Sequence, residues 1–171
     1  MRVNGKDFTT VWRKDGSIFL IEQNLLPFEF KIFESKNYRE SCQAIKTMLV
    51  RGAIALEATA AYALLQAFLE APKDNFWAFV DKAKEEIKNT RPTAVNLFYA
   101  VNRVYNLAKL SNNPVLTAEI EAEKIVAESI AATKKIGEYG EQLIKDKMNI
   151  ETHCNAGWLG CVDWGTALSP I

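Results

Sequence analysis

Apolar residues recur at two spacings along this chain, and the spacing changes near Asn37. Before that point the apolar runs are short and punctuated by turns. Phe8–Trp12 and Ser17–Ile21 are β-prone, and Lys14-Asp15-Gly16 between them is a turn signal, so a hairpin is predicted. A linker around Leu25-Leu26-Pro27 precedes a third expected strand at Phe28–Phe33. After Asn37 the period becomes helical. Cys42, Ile45 and Leu49 form one stripe of a helix over Tyr38–Leu49. Ala53–Leu69 is rich in Ala and Leu and has no Gly or Pro, which predicts a strong helix. Ala55, Ala58, Ala60 and Ala61 make it one that neighbours approach closely. Asp74–Asn89 is a third helix, with Phe76, Phe79, Val80, Ala83 and Ile87 apolar. Pro92 suits the first turn of a fourth, running to about Leu110. Beyond the loop Ser111–Pro114, Thr117–Lys147 predicts a long helix with Gly137 and Gly140 as breaks, and Met148–Cys154 returns to strand character. The expected fold is α+β: a small N-terminal antiparallel sheet, a helical bundle and a long connecting helix over residues 1–145. Residues 146–171 then read as the first strand and loop of a second, α/β domain.

Composition narrows the function classes. Apolar residues make up 49% of the 171 positions and charged residues 25%, ordinary values for a soluble globular chain. Lys+Arg and Asp+Glu number 21 each, so bulk charge supplies no attraction for nucleic acid or a membrane surface. Neither partner is expected. No apolar run reads as a membrane span, and residues 1–7 carry no signal-peptide core. The cysteines Cys42, Cys154 and Cys161 are odd in number and lack framework spacing, which fits a reducing cytoplasm.

Three segments carry candidate chemistry. Val50-Arg51-Gly52-Ala53 places an Arg and a Gly where a helix begins. Free N–H groups at a helix start and a neighbouring guanidinium can cradle a phosphate; the plain alternative is a turn with a solvated Arg. Thr90-Arg91-Pro92-Thr93-Ala94-Val95-Asn96 repeats the arrangement, unless Thr90 merely caps the helix and Arg91 points to water. Two such junctions can converge on one anion. The third segment is Thr152-His153-Cys154-Asn155-Ala156-Gly157, followed by Asp163-Trp164-Gly165-Thr166-Ala167-Leu168. Cys154 is open to four readings: nucleophile, acid/base thiol, metal ligand or inert buried thiol. His153 is the one histidine, and on a strand it points away from Cys154, so no direct dyad is expected. With no C-x-x-C and no second His, a four-ligand zinc site is not expected either. Cys42 and Cys161 read as core residues, and Trp158 and Trp164 as packing.

Taken in order, Arg-Gly-Ala at 51–53, Arg-Pro-Thr-Ala-Val-Asn-Leu at 91–97, Ile-Gly-x-x-Gly at 136–140, Thr-His-Cys-Asn-Ala-Gly at 152–157 and Gly-Thr-Ala at 165–167 resemble the methylthioribose-1-phosphate isomerase family. Its superfamily includes ribose-1,5-bisphosphate isomerase and the regulatory subunits of translation initiation factor two-B. Val11-Trp12-Arg13-Lys14-Asp15-Gly16 and Ile21-Glu22-Gln23-Asn24-Leu25-Leu26-Pro27 resemble its N-terminal strands. The resemblance implies a Rossmann-like second domain, a cytoplasmic dimer and no cofactor or metal. It implies an aldose–ketose isomerase that converts 5-methylthioribose 1-phosphate to 5-methylthioribulose 1-phosphate in methionine salvage. Cys154 matches the catalytic cysteine; Arg51, Gly52 and Ala53 the phosphate-side loop; Arg91 the second substrate Arg; Asn155 a neighbour of the reacting centre.

The chain departs from the family pattern at Ile54 and Glu57, which stand where Pro and Gly are usual, and at Tyr139, where His is frequent. A Glu57 turned inward would repel an anion. The chain has about half the family's usual length, and the family's catalytic Asp lies in the other half. The resemblance therefore implies an N-terminal half, inactive alone, whose carboxylate comes from a C-terminal half in trans or from a homodimer. Trp158, Leu159, Val162, Trp164 and Leu168 are expected to be covered by such a partner or to fold back. Two other readings remain: a non-catalytic scaffold of the initiation-factor type, and an isomerase of another pentose 1-phosphate.

Overall fold

The computed structural model describes residues 1–171. It begins with a small hairpin, β1 (Arg2–Val3) against β2 (Lys6–Asp7). An antiparallel meander follows: β3 (Val11–Lys14), β4 (Ser17–Ile21) and β5 (Ile32–Ser35), with β4 in the centre. Lys14 pairs with Ser17 across a two-residue turn in which Asp15 and Gly16 both have positive φ, at 50° and 84°. That is the mirror-image turn whose twist suits a hairpin. Alternation sorts the faces of β4: Ile18 and Leu20 are buried, while Phe19 stacks on Trp12 at 5.6 Å on the other side. The third strand starts four residues later than the sequence suggests. Phe28 is 96% exposed, and Leu25–Glu29 is a turn closed by N–H donation from Phe28 and Glu29 to the Leu25 carbonyl.

Five helices follow the sheet. They are α1 (Tyr38–Lys46), α2 (Ala53–Glu70), α3 (Phe76–Lys88), α4 (Val95–Lys109) and α5 (Pro114–Gly140). Helix α2 is buried on all sides from Ala55 to Phe68 and touches every other helix as well as β3 and β4. A helix apolar all round belongs in the middle, and its alanines let four neighbours come close. By length and composition it would also pass for a membrane span, which corrects the sequence reading, but its faces are spent on the core. Gln66 ties the layers together. It accepts from Ser41 Oγ at 2.8 Å and donates to the carbonyls of Ser35 at 2.9 Å and Gly16 at 3.2 Å. Those partners lie on α1, β5 and the β3–β4 turn.

Three helix boundaries differ from the pattern-based ones. Helix α1 ends at Lys46 because Met48 adopts a left-handed φ of 59°. Helix α4 starts at Val95, since Arg91–Ala94 forms a turn closed by the Ala94 N–H on the Arg91 carbonyl. Helix α5 runs from Pro114, capped by Asn113, through Gly137 to Gly140. Gly137 is helical, while the α-helix ends at Gly140, one of the two expected breaks, and not at Lys147. A Cβ on Gly137 would lie 2.6 Å from Ser169 Oγ, and one on Gly140 2.5 Å from Pro170 Cγ, so their bareness seats the end of the chain.

Residues 144–171 contain no strand, which corrects the expectation for Met148–Cys154. Residues 145–155 are exposed and have no neighbouring strand to pair with, and a lone strand leaves its peptide groups unpaired. From Ala156 the chain folds back onto the sheet and helices. The Thr10 N–H donates to Val162 O at 2.9 Å and Thr10 Oγ1 to Trp158 O at 3.0 Å. Thr133 Oγ1 on α5 donates to Asp163 O at 2.9 Å. Trp158 and Val162 are thereby buried, whereas Trp164 and Leu168 stay 47% and 41% exposed.

The tightest point of this return is glycine on glycine. Gly52 has φ 106°, and a Cβ there would lie 2.3 Å from Gly160 Cα. Gly52→Ala should cost roughly 2–3 kcal/mol from strain plus displaced backbone and should free residues 156–165. Gly5→Ala serves as the control, because Gly5 has φ 80° but nothing within 4 Å. Urea denaturation and amide exchange of the two variants check this; equal losses and unchanged exchange at 156–165 would refute it.

Candidate active site

The starts of α2 and α4 and the segment after His153 meet around one cleft of about 590 Å³. Arg51, Gly52, Ala53, Arg91, Cys154 and Asn155 all line it, so every site residue singled out in the sequence reaches the same space. The remaining wall is partly apolar, from Met48, Leu56, Ala94 and Leu159, with Gln23 and Thr93 as polar members. Sequence reasoning missed Gln23 as a lining residue. Its one signal is a buried polar side chain directly after the apolar strand β4.

The local electrostatics follow from how the two helices begin. Helices α1 and α5 are capped by Asn37 and Asn113 side chains. The N-cap positions of α2 and α4 are Gly52 and Ala94, which offer no side-chain acceptor. Thr90 does not cap α4; its hydroxyl donates to Ile87 O at 2.6 Å, at the end of α3. Uncapped first-turn N–H groups and the helix dipole leave partial positive charge at both starts. Neither Arg51 nor Arg91 forms an ion pair, and the Arg91 Nη1 is buried without a hydrogen-bond partner. No Asp or Glu lines the cleft. Two guanidinium groups, two open helix starts and no carboxylate are an arrangement that can hold a multiply charged anion.

Glu57 does not oppose this. It lines a separate 260 Å³ pocket with Tyr99 and Arg103, and Asn96 Nδ2 donates to its Oε2 at 2.6 Å. Burial raises its pKa, offset in part by the Asn96 bond. Asn96 thus serves α2–α4 packing rather than the cleft.

The three thiols divide cleanly. Cys42 and Cys161 are buried and Cys154 is exposed. Burial pushes the Cys42 thiol up to about 12 and the Cys161 thiol up to about 11. A thiol held neutral is a poor nucleophile and a poor base. Cys154 sits at φ 72°, a left-handed conformation uncommon outside glycine. It also borders a second pocket of about 140 Å³ that His153, Ala156 and Cys161 help to line. Because the segment is not a strand, His153 is not turned to an opposite face as expected; no hydrogen bond joins it to Cys154, and both border the small pocket.

Residues 49–169 match the model of the initiation factor 2 subunit family. The chain belongs to that family. It is 46% identical to methylthioribose-1-phosphate isomerase of Acetivibrio thermocellus over 166 residues, covering 92% of this chain and 48% of that one. It is 42% identical to the enzyme of the same name from Methylocella silvestris, covering all of this chain and 50% of that one. Two solved structures superpose with a TM-score of 0.86 over 96% of the chain. One is the translation initiation factor eIF-2B subunit delta from A. fulgidus, 39% identical, with 50% of it covered. The other is 5-methylthioribose 1-phosphate isomerase from Pyrococcus horikoshii OT3, 41% identical, with 48% of it covered. The chain spans about half the length of the relatives it matches. The matched halves share the sheet and helices of this α+β fold.

The buried thiols generate a pH test. In the folded chain Cys42 and Cys161 stay protonated to about 12 and 11, against 9.0 for a free thiol. Folded pKa values above the unfolded ones give stability that is complete below pH 9 and lost as pH rises from 9 toward 11–12. Urea midpoints between pH 7 and pH 10.5 should fall more for the native chain than for a Cys42→Ala/Cys161→Ala variant. Parallel curves would refute the assignment.

Proposed function

We propose that this chain supplies the N-terminal half of an aldose–ketose isomerase site acting on 5-methylthioribose 1-phosphate. The observation that carries the reading is the convergence of Cys154 with two unpaired arginines in one cleft without carboxylates. Relatives at 38–46% identity bear that enzyme's name, which supports it. In this reading Arg51, Arg91 and the N–H groups after Gly52 hold the phosphate. Met48, Leu56 and Leu159 supply apolar wall for the rest of the sugar.

The chemistry fits this set. Phosphate esterifies the anomeric oxygen, so the sugar cannot open to a free aldehyde. The C1–ring oxygen bond must break, a hydrogen must move from C2 to C1, the C2 hydroxyl must become a carbonyl, and its proton must end on the ring oxygen. A thiol on one side of the C1–C2 pair and a carboxylate on the other can do this, by proton transfer through an enol or by guiding a hydride. Cys154 is the thiol, with Asn155 beside it. The carboxylate comes from a C-terminal half on residues beyond this chain or from a partner chain, and residues 146–171 lead into that second, Rossmann-like domain. Exclusion of water by the closing half would protect the intermediate. The likeness to subunit delta supports a second reading, a non-catalytic assembly subunit. The exposed cleft cysteine favours the enzyme, since a scaffold has no use for it.

The purified chain should be inactive alone and gain isomerase activity when a C-terminal half of a relative is supplied in trans. In that assembly Cys154→Ser should lower kcat by roughly 10³-fold or more while changing substrate affinity little, because the thiol acts in the chemical step. Robust turnover by the lone chain, or normal turnover by the variant, would overturn the assignment. Binding without turnover would favour the scaffold.

A further inference from the structure

Gln23 is a buried polar residue that the proposed chemistry does not use. It follows the end of β4, is 2% exposed, and borders the cleft. Its backbone N–H donates to Leu49 O at 2.9 Å. Its side-chain Nε2 donates to Leu159 O at 2.8 Å and reaches Arg51 O at 3.5 Å, the limit of a hydrogen bond. A primary amide has two N–H groups, so one nitrogen can address both carbonyls. Those carbonyls belong to different walls of the cleft: Arg51 precedes the start of α2, and Leu159 lies five positions after Cys154. Beside this bridge, Gly160 rests on Gly52.

We infer that Gln23 is a positioning residue of the cleft. It sets the Arg51–Gly52 loop in register with the Cys154–Leu159 segment and thereby fixes where the guanidinium stands relative to the thiol. The main chain of Gln23 holds the loop through Leu49, and the side chain holds the returning segment through Leu159. One residue therefore joins two walls that also meet at Gly52 and Gly160. The inference rests on the reading of the cleft as a phosphate site.

The test uses the chain itself with inorganic phosphate as probe. Gln23→Met keeps the length and apolar stem but leaves Leu159 O unpaired; Gln23→Asn keeps the amide but stops one carbon short. Alkylation of Cys154 by a small thiol reagent is followed by mass spectrometry with increasing phosphate, and the buried Cys42 on α1 reports on the fold. In the native chain phosphate should slow alkylation of Cys154. In both variants the protecting concentration should rise about tenfold, the scale of one lost buried hydrogen bond. Amides of residues 156–162 should exchange about tenfold faster, on the same scale, while Cys42, outside that segment on α1, stays unreactive. Native protection and native exchange in either folded variant would overturn the inference. Exposure of Cys42 together with Cys154 would also overturn it, showing a residue that serves the fold at large. If phosphate fails to protect even the native chain, the phosphate-site reading falls, and exchange at residues 156–162 alone decides whether Gln23 holds the segment.

Discussion

The arrangement depends on burying one alanine-rich helix from every side. With Ala at 55, 58, 60, 61, 63 and 67, α2 presents a narrow cylinder that α1, α3, α4 and α5 can all approach. Such close packing gains dispersion contacts along the whole length, and enlarging one of these alanines would force the neighbours apart at a cost of about 1–3 kcal/mol. A central helix must still begin somewhere. It begins after Gly52, where the buried Leu49 and Val50 give way to the exposed Arg51. The position of the cleft is thus a consequence of the core.

Around that edge the ordinary rules of helix stability are relaxed. The helix starts on the cleft carry no side-chain cap, a guanidinium nitrogen is buried without a partner, and Cys154 adopts a left-handed conformation. Each feature costs stability in isolation. Such exceptions also occur away from the cleft, as at the uncapped start of α3 and the buried, unpartnered Trp158 Nε1. At the cleft they meet, and a ligand there can make the bonds that the chain leaves open.

The returning segment gives this cleft its thiol. Its path is built from backbone as much as from side chains. Thr10, Gln23 and Thr133 hold its carbonyls, while Gly52, Gly137 and Gly140 leave room for it to pass. The family includes proteins named as isomerases and a protein named as an initiation-factor subunit, with the same fold over the matched half. A shared fold does not by itself assign a role; that depends on the side chains of the site.

Much of this was legible in the sequence. Period-2 runs and Asp15-Gly16 marked the hairpin, an alanine-rich stretch without breakers marked the central helix, and motif order marked the family. The six candidate residues were singled out through the resemblance, from three segments that are far apart in the chain and meet in one cleft only in the fold. The rest depended on tertiary contacts. Periodicity at Met148–Cys154 suggested a strand, yet no partner strand is there to satisfy its peptide groups. Gly137 and Gly140 looked like helix breaks; the helix does end at Gly140, and both also seat the end of the chain, against Ser169 and Pro170. Glu57 looked like a threat to an anion site and is bonded to Asn96 in a separate pocket. Gln23 gave almost no local signal, since its partners Arg51 and Leu159 lie 28 and 136 positions away. Local sequence determines which elements form and which groups are available. Only the packing of those elements decides which distant groups face one another, because a side chain's partner is set by the fold and not by its neighbours in the chain.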